Sequence, residues 1–329
     1  MISYELDVAT IRGNVVESRH RVHAAVVDAR GTLRATAHDP ELVSHWRSCA
    51  KPFQVMPLVA HGHADRLGWG DDEIAVACAS HGGEPEHVAI ASAMLESLEL
   101  EEGDLACGPH MPLSARGARI LKESGQSATR VHNNCSGKHA AMLALAQSCR
   151  WSILGYQEAG HPVQETVLST VSEWCGVPAD QIPYGTDGCS VVTFALPLTA
   201  MARAFARLAD AARREEEPAL RITNAMRSRP FLIGGTDRFD SVLIEETNGA
   251  VIAKVGAEGV HSVALMDEPV AFAIKVEDGA QRAQYPAVLR LLQHLGALPN
   301  ELPPSLEQFA RAPVHNTRGE RVGEVRCLA

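Results

Sequence analysis

The sequence lacks both a long apolar segment and an excess of positive charge. No stretch approaches about 18 uninterrupted apolar residues, so we expect no membrane-spanning helix. The N-terminal sequence MISYELDVATIRGNVVESRH has no basic segment followed by an apolar one, which argues against a secretory signal and predicts a cytoplasmic protein. With 30 Lys and Arg against 40 Asp and Glu, the net charge is -10, so nucleic acid is not an expected partner.

The sequence also lacks the cysteine density of a disulfide-stapled protein. Its 329 residues contain 8 cysteines, spread along the chain, which predicts buried thiols with metal ligands as the exception. Hydrophobic residues make up 46% and charged residues 21%, the balance of a folded globular protein. No Ser/Gly/Pro-rich linker, low-complexity tract or repeat divides the chain, so we expect residues 1–329 to form one intertwined domain.

Strand-forming and helix-forming patterns occupy different parts of the chain. Residues 1–40 contain two runs of β-formers about a turn, and residues 250–329 contain AVIAKVG, HSVALMD, PVAFAIKVED and RVGEVRCL. From about 44 to 245 the apolar spacing, as in KHAAMLALAQ and ALPLTAMARAFARLA, predicts mostly helices. The predicted fold class is therefore α/β (α+β), with an antiparallel sheet from the N- and C-terminal strands and a helical layer inserted between them.

Ser48 and Lys51 form an S-x-x-K pattern in the segment RSCAKPF. At a helix start, residues three apart share a face, and a neutral lysine can accept the proton of a serine nucleophile. The reference lysine pKa of about 10.4 must then fall by roughly three units, through burial or a nearby cation. The pattern alone is weak, since a helix start with a solvated lysine also explains it, but the apolar continuation FQVMPLVA predicts a buried helix and favours catalysis.

Ser80 stands where a helical run stops, in CASHGGEPE. The two glycines after it leave backbone N–H groups free to approach a ligand, so this turn suits an oxyanion hole or a second serine site. The alternative interpretation is a Gly-Gly helix cap that leads into the next helix.

Lys254 ends a predicted strand in KVGAEG. Serine–lysine enzymes often draw a positive charge from a strand lysine followed by a hydroxyl residue, whose place Val255 takes here. A strand-end lysine in solvent is the alternative. The segment GGTDRFD, residues 234–240, predicts a helix start capped by Thr236 or Asp237 that lines the same cleft.

The segment HNNCSGKH, residues 132–139, crowds polar groups at the start of a helix. It is not a nucleotide P-loop, because histidines occupy both the upstream glycine position and the hydroxyl position of that motif. The segment is compatible with an anion site at the helix N-terminus. It is also compatible with a zinc site, in which Cys135 acts with His139 or Lys138 and a further ligand such as Cys189 comes from another segment.

Six blocks together resemble the rhizobial-type (class 3) L-asparaginases. They are SCAKPFQ, ASHGGEPEH, CGPHMP, HNNCSGKHAAML, GTDGCSVVTFALPL and KVGAEG, and they follow one another in order over most of the chain. The resemblance implies a fold similar to that of serine β-lactamases and the related glutaminases. It also implies hydrolysis of L-asparagine to L-aspartate and ammonia by a homodimeric enzyme.

The resemblance implies a catalytic set of two serine–lysine pairs, Ser48 with Lys51 and Ser80 with Lys254. In the expected mechanism, Ser48 attacks the amide carbon while Lys51 accepts its proton, and Ser80 with Lys254 relays a proton to the departing ammonia. The two similar pairs could exchange these roles.

The resemblance also implies a zinc ion held by Cys135, Lys138 and Cys189, which orients the substrate and does not generate hydroxide. Of the expected substrate-binding residues, Asp187 binds the ammonium, directly or through a metal-bound water, and Arg47 binds or positions the carboxylate. His139 is the third member of that set.

Two other functions remain open from the sequence. In a metal-dependent amidohydrolase, zinc-bound water would be the nucleophile and Ser48 would be dispensable. A non-catalytic amino-acid binding protein would bind asparagine and release no ammonia. Penicillin hydrolysis is not implied, because Cys49 and Val255 replace hydroxyl residues that a β-lactamase-like site uses.

Overall fold

The computed structural model describes residues 2–328, which form strands at both ends of the chain and helices between them. The strands are β1 (Ile2–Ser3), β2 (Val8–Arg12), β3 (Val15–His20), β4 (Val22–Asp28), β5 (Leu33–Ala37), β6 (Val43–His45), β7 (Tyr184–Thr186), β8 (Val192–Pro197), β9 (Val251–Val255), β10 (Val260–Leu265), β11 (Val270–Val276), β12 (Ala312–His315) and β13 (Arg321–Cys327).

The helices lie mostly between β6 and β9. They are α1 (Lys51–Ala60), α2 (His63–Arg66), α3 (Asp71–Cys78), α4 (Pro85–Glu96), α5 (Ala115–Glu123), α6 (Ser136–Ser148), α7 (Pro162–Cys175), α8 (Leu198–Arg213), α9 (Ala219–Ser228), α10 (Pro230–Gly234), α11 (Phe239–Glu246), α12 (Gln281–His294) and α13 (Pro304–Ala310). Short 3₁₀ helices occur at Arg47–Ala50, Glu102–Asp104, Arg130–His132 and Ala179–Gln181. No helix among residues 2–328 is long and apolar enough to cross a membrane.

The central sheet joins the two ends of the chain. Its strand order is β1-β5-β4-β11-β10-β9, and neighbours are antiparallel except for β1 and β5, which are parallel. N-terminal β4 pairs directly with C-terminal β11 along its whole length. The predicted α/β fold class, an antiparallel sheet from both termini with inserted helices, is confirmed.

The last strand lies outside the central sheet. β13 pairs with β2 in a second sheet of order β12-β13-β2-β3, while β6, β8 and β7 form a third. Burial explains the division, since β4 and β10 are buried at every residue, whereas β3 and β13 have exposed positions. A strand with an exposed face suits a sheet that is covered on one side only.

Helices cover both faces of the central sheet. Along β4, Ala25 and Val27 belong to the core that includes α1, α3, α6 and α8, whereas Ala24 and Val26 belong to a second core that includes α11 and α12. Successive side chains of a strand point to opposite faces, so β4 lies between two apolar layers. One end of β9 and the start of α1 meet at the edge of the larger core, where the predicted catalytic residues lie.

Helix α6 approaches the end of α3 closely at Gly137. A Cβ added there would lie 2.5 Å from the carbonyl oxygen of Val76. We therefore expect Gly137→Ala to lower the free energy of unfolding by about 1–3 kcal/mol, measured by urea denaturation, because the two backbones must separate. Gly108→Ala is the control, since its added Cβ would meet no atom within 4 Å. Equal stability of the two variants would contradict this prediction.

Candidate active site

Ser48 lies on the 3₁₀ helix Arg47–Ala50, directly before α1. The preceding Trp46 is fully buried and anchors this segment, because its indole N–H donates to Ser262 Oγ at 3.0 Å. Arg47 has a φ of 53°, a left-handed conformation that costs roughly 1–3 kcal/mol in a non-glycine residue and occurs at functional sites. Ser48 itself is half-buried and faces a cavity.

Ser80 lies in the extended segment that follows α3. Its backbone N–H donates to the carbonyl oxygen of Ile233 at 3.1 Å, which ties this segment to α10. Two lysine amines reach its hydroxyl oxygen: Lys254 Nζ at 2.8 Å and Lys51 Nζ at 3.1 Å. The structure thus joins one serine to both lysines.

Lys51 contacts Ser80 and two main-chain oxygens. Its Nζ donates to the carbonyl oxygen of Ala79 and, at 3.1 Å, to that of Asn134. Ser80 Oγ is the third oxygen within hydrogen-bond distance of this amine. The hydrogen bond that the S-x-x-K spacing predicts, between Lys51 and Ser48, is not among these contacts.

Both lysines are buried without a carboxylate partner. Neither amine forms an ion pair within residues 2–328, and both side chains are fully buried. Burial, and then the positive charge of Lys51, lower the pKa of Lys254 to about 8. Two cations on one buried oxygen atom would repel each other strongly, so the cluster favours one neutral amine, which is the form that can accept a proton.

Both serines line one cavity of about 360 Å³, a volume in the usual range for small-ligand sites. Lys51 and Lys254 lie behind the serines and do not line it. The other lining residues come from the segment before α11, from the end of β9 and the loop after it, from the start of α12, and from neighbouring loops: Leu113, Asn134, Arg238, Val255, Gly256, Ala257, Glu258, Gly279 and Gln281.

The three predicted metal ligands lie together next to this cavity. Cys135, Lys138 and Cys189 are all buried, and Lys138 Nζ donates to Cys189 Sγ at 3.0 Å. Cys135, and then the charge of Lys138, lower the pKa of Cys189 to about 4, which favours the thiolate form that binds metals. A thiolate, a second sulfur and an amine that converge from two segments fit a zinc ion with an open position, although lysine binds zinc only as the neutral amine.

The predicted substrate-binding residues have partners within the protein. Arg47 and Asp187 bind each other, with Nε and Nη2 of Arg47 at 2.9 and 2.8 Å from the Asp187 Oδ1. His139 is fully buried, and its Nδ1 lies 2.5 Å from the Tyr156 hydroxyl. Burial lowers the pKa of His139 to about 3, so its ring is neutral, and it does not line the cavity of the serines.

A carboxylate that the sequence analysis did not single out supports the Ser80 segment. Glu84 is fully buried, and it accepts hydrogen bonds from the Thr236 N–H at 2.7 Å and the Thr236 hydroxyl at 2.8 Å. The predicted cap is therefore wrong, because Thr236 is bound to Glu84, and α11 begins after Arg238 without a side-chain cap. Only the position of Glu84 in the ASHGGEPEH block hinted at this role.

Comparison with known proteins identifies the family. The L-asparaginase II family model matches residues 8–327, nearly the whole chain, which confirms the resemblance to the rhizobial-type asparaginases. No curated protein matches. Among solved structures, a Bacillus glutaminase in the presence of 4.3M NaCl is similar to this chain at 14% identity and a TM-score of 0.36; the match covers 84% of this chain and 91% of the glutaminase chain. The chain therefore belongs to the L-asparaginase II family and is an amidohydrolase that acts on L-asparagine.

Proposed function

We propose that this chain hydrolyses L-asparagine by a serine–lysine mechanism in the cavity that Ser48 and Ser80 line. The observation that carries the proposal is the Ser80 hydroxyl, which lies at hydrogen-bond distance from two buried amines, Lys51 and Lys254. An amine, a hydroxyl and a second amine in a row can pass a proton along the chain.

Ser48 is the nucleophile in this proposal. It is half-buried and faces the cavity, whereas the Ser80 hydroxyl is held between two amines. The Ser48–Lys51 hydrogen bond must form in the substrate complex, as catalytic hydrogen bonds often do.

The proposed reaction passes through an ester between Ser48 and the acyl group of the substrate. Ser48 Oγ bonds to the amide carbon and gives its proton to neutral Lys51. The carbon–nitrogen bond breaks as the amide nitrogen takes a proton from the Lys254 ammonium through Ser80 Oγ and leaves as ammonia, and the proton on Lys51 then passes through Ser80 to Lys254. Water next attacks the ester: its oxygen bonds to the acyl carbon, the bond from that carbon to Ser48 Oγ breaks, and one water proton reaches Ser48 Oγ through Lys51 as L-aspartate leaves.

Zinc has a supporting role in this proposal. Cys135, Lys138 and Cys189 would hold the ion, and when bound it would supply positive charge that orients the charged groups of the substrate. Arg47, Asp187 and His139 stay the predicted substrate-binding residues. A homodimer and a cytoplasmic location stay predictions as well.

The deciding experiment is a coupled ammonia assay on the wild type, Ser48→Ala and Ser80→Ala, each with and without a chelator. We expect Ser48→Ala to release no ammonia and to form no covalent aspartyl adduct by mass spectrometry, since the attacking oxygen is gone. Ser80→Ala should lose about 10²–10⁴-fold in kcat, the usual size of an acid–base contribution. Chelation should mainly raise KM.

The same assay separates the alternatives. Substantial activity of Ser48→Ala, with complete loss on chelation, would replace this mechanism with attack by a metal-bound water. An adduct mapped to Ser80 in the wild type would exchange the roles of the two serines.

A further inference from the structure

A buried carboxylate and a buried imidazole lie below Lys254. Asp240 on α11 is 3% exposed and His261 on β10 is 0% exposed. Oδ1 of Asp240 lies 3.0 Å from Nε2 of His261, a distance typical of an ion pair, although the angle is not that of a hydrogen bond. A buried charge is costly unless it is paired, so this pair calls for a functional explanation.

The second oxygen of Asp240 binds the backbone next to Lys254. Asp240 Oδ2 accepts the N–H of Val255 at 2.8 Å, and Cys49 Sγ donates to the carbonyl oxygen of Lys254 at 2.9 Å. The Val255 N–H and the Lys254 carbonyl oxygen belong to the same peptide unit, the one that joins Lys254 to Val255. The peptide unit is therefore held at both of its polar atoms, which fixes the point from which the Lys254 side chain extends to Ser80.

The charges around Lys254 oppose one another. The titratable groups that face it are Lys51 from α1, Cys49 from the 3₁₀ helix, Cys78 from the end of α3, Asp240, His261 beside that carboxylate, and Cys135 from the segment before α6. Burial and Lys51 lower the pKa of Lys254 to about 8, and Asp240 acts against them. Burial favours a protonated Asp240, but His261, Lys254 and the Val255 N–H outweigh it and lower the pKa of Asp240 to about 2.

We propose that Asp240 is a positioning residue for the reaction: it fixes the Lys254–Val255 peptide unit and supplies the negative charge that lets Lys254 carry a proton to the leaving group. Nε2 of His261 lies 3.0 Å from the other oxygen of that carboxylate. The proposal rests on the role of Lys254 in the proton relay.

The test is the pH dependence of kcat for asparagine hydrolysis by Asp240→Asn. Asparagine at 240 keeps an acceptor for the Val255 N–H and removes the charge. Losing a nearby negative charge destabilises protonated Lys254, so the alkaline decline in kcat should move to lower pH by about one unit. At pH 8, kcat should fall by about fivefold, because a one-unit drop in a pKa of about 8 lowers the protonated fraction of Lys254 from about one half to about one eleventh, while KM changes little.

Two variants control for nonspecific effects. Asp240→Glu, which keeps the charge, should restore the alkaline decline to its wild-type position even if kcat is lower. Asp267→Asn, at an exposed aspartate in the turn between β10 and β11, should change neither quantity. If Asp240→Asn does not fold, Asp240→Ser, a smaller neutral acceptor, should show the same shift.

If folded Asp240→Asn or Asp240→Ser shows the alkaline decline in kcat at the same pH as the wild type, the positioning role of Asp240 is wrong. Lys254→Met distinguishes this failure from failure of the relay. Loss of activity in Lys254→Met, together with an unshifted Asp240→Asn, rejects only the role of Asp240. Near-wild-type activity of Lys254→Met rejects the relay itself.

Discussion

Replacing Lys51 by methionine is expected to lower kcat for asparagine hydrolysis by about 10³-fold, within the range of a lost general acid–base group. Methionine keeps much of the apolar stem but has no amine to receive the Ser48 proton or to contact Ser80. The rate of ammonia release at saturating asparagine measures the effect. Lys51→Arg should not restore activity, because a guanidinium does not give up its proton in proteins.

Two further measurements make the Lys51 result specific. Lys51→Met leaves the carbonyl oxygens of Ala79 and Asn134 without this donor, at a cost of about 1–3 kcal/mol for each unsatisfied group, so unfolding must be measured alongside activity. Lys122→Met removes an exposed lysine from α5 and should leave kcat unchanged. If folded Lys51→Met keeps more than about a tenth of the wild-type kcat, the acid–base contribution of Lys51 is smaller than predicted.

Trp46→Ala is expected to lower the free energy of unfolding by about 3–5 kcal/mol, the usual cost of truncating a buried tryptophan. Trp46 is fully buried, and its ring stacks on Phe53 at a centroid distance of 5.1 Å and meets Phe205 edge-on. Truncation leaves a cavity between the 3₁₀ helix that carries Ser48, α1 and α8. Urea denaturation measures the loss.

Trp46→Phe is the matched variant for this prediction. It keeps an aromatic ring against Phe53 but removes the indole N–H that donates to the buried Ser262 hydroxyl. We expect it to cost about 1–3 kcal/mol, the penalty for one unsatisfied buried group. Similar losses for the two variants would show that ring packing contributes little at this position.

The sequence predicted the parts of the fold that depend on local pattern. Runs such as HAAVV and PVAFAIKV gave β4 and β11, and the apolar spacing of KHAAMLALAQ gave α6. It did not predict that β13 pairs with β2 in a separate sheet, because strand pairing depends on contacts between distant segments. The apolar continuation FQVMPLVA predicted a buried helix after Ser48, and Lys51 is buried, but the Lys51–Ser48 contact that the S-x-x-K spacing predicts is absent because the amine donates to main-chain oxygens of distant segments.

The charged supports of the site were the hardest part to predict. Asp240 and His261 are 21 positions apart in the printed sequence, and neither belongs to a motif that marks a buried pair. Glu84 looks like an ordinary acidic residue before a helix, yet its carboxylate accepts a hydrogen bond from the backbone N–H of Thr236, 152 positions later in the chain. Such pairs form only when the fold brings the segments together, so no local periodicity indicates them.

The contact between Arg47 and Asp187 bears on ligand selection. Each side chain already neutralises the other, so a ligand that separates them must offer a replacement for both. A zwitterion supplies an anionic end for the guanidinium and a cationic end for the carboxylate, and the exchange leaves no charge stranded. A simple amide with only one ionic end would leave one protein charge uncompensated, so the predicted role of Arg47 and Asp187 in substrate binding would favour free amino acids over simple amides.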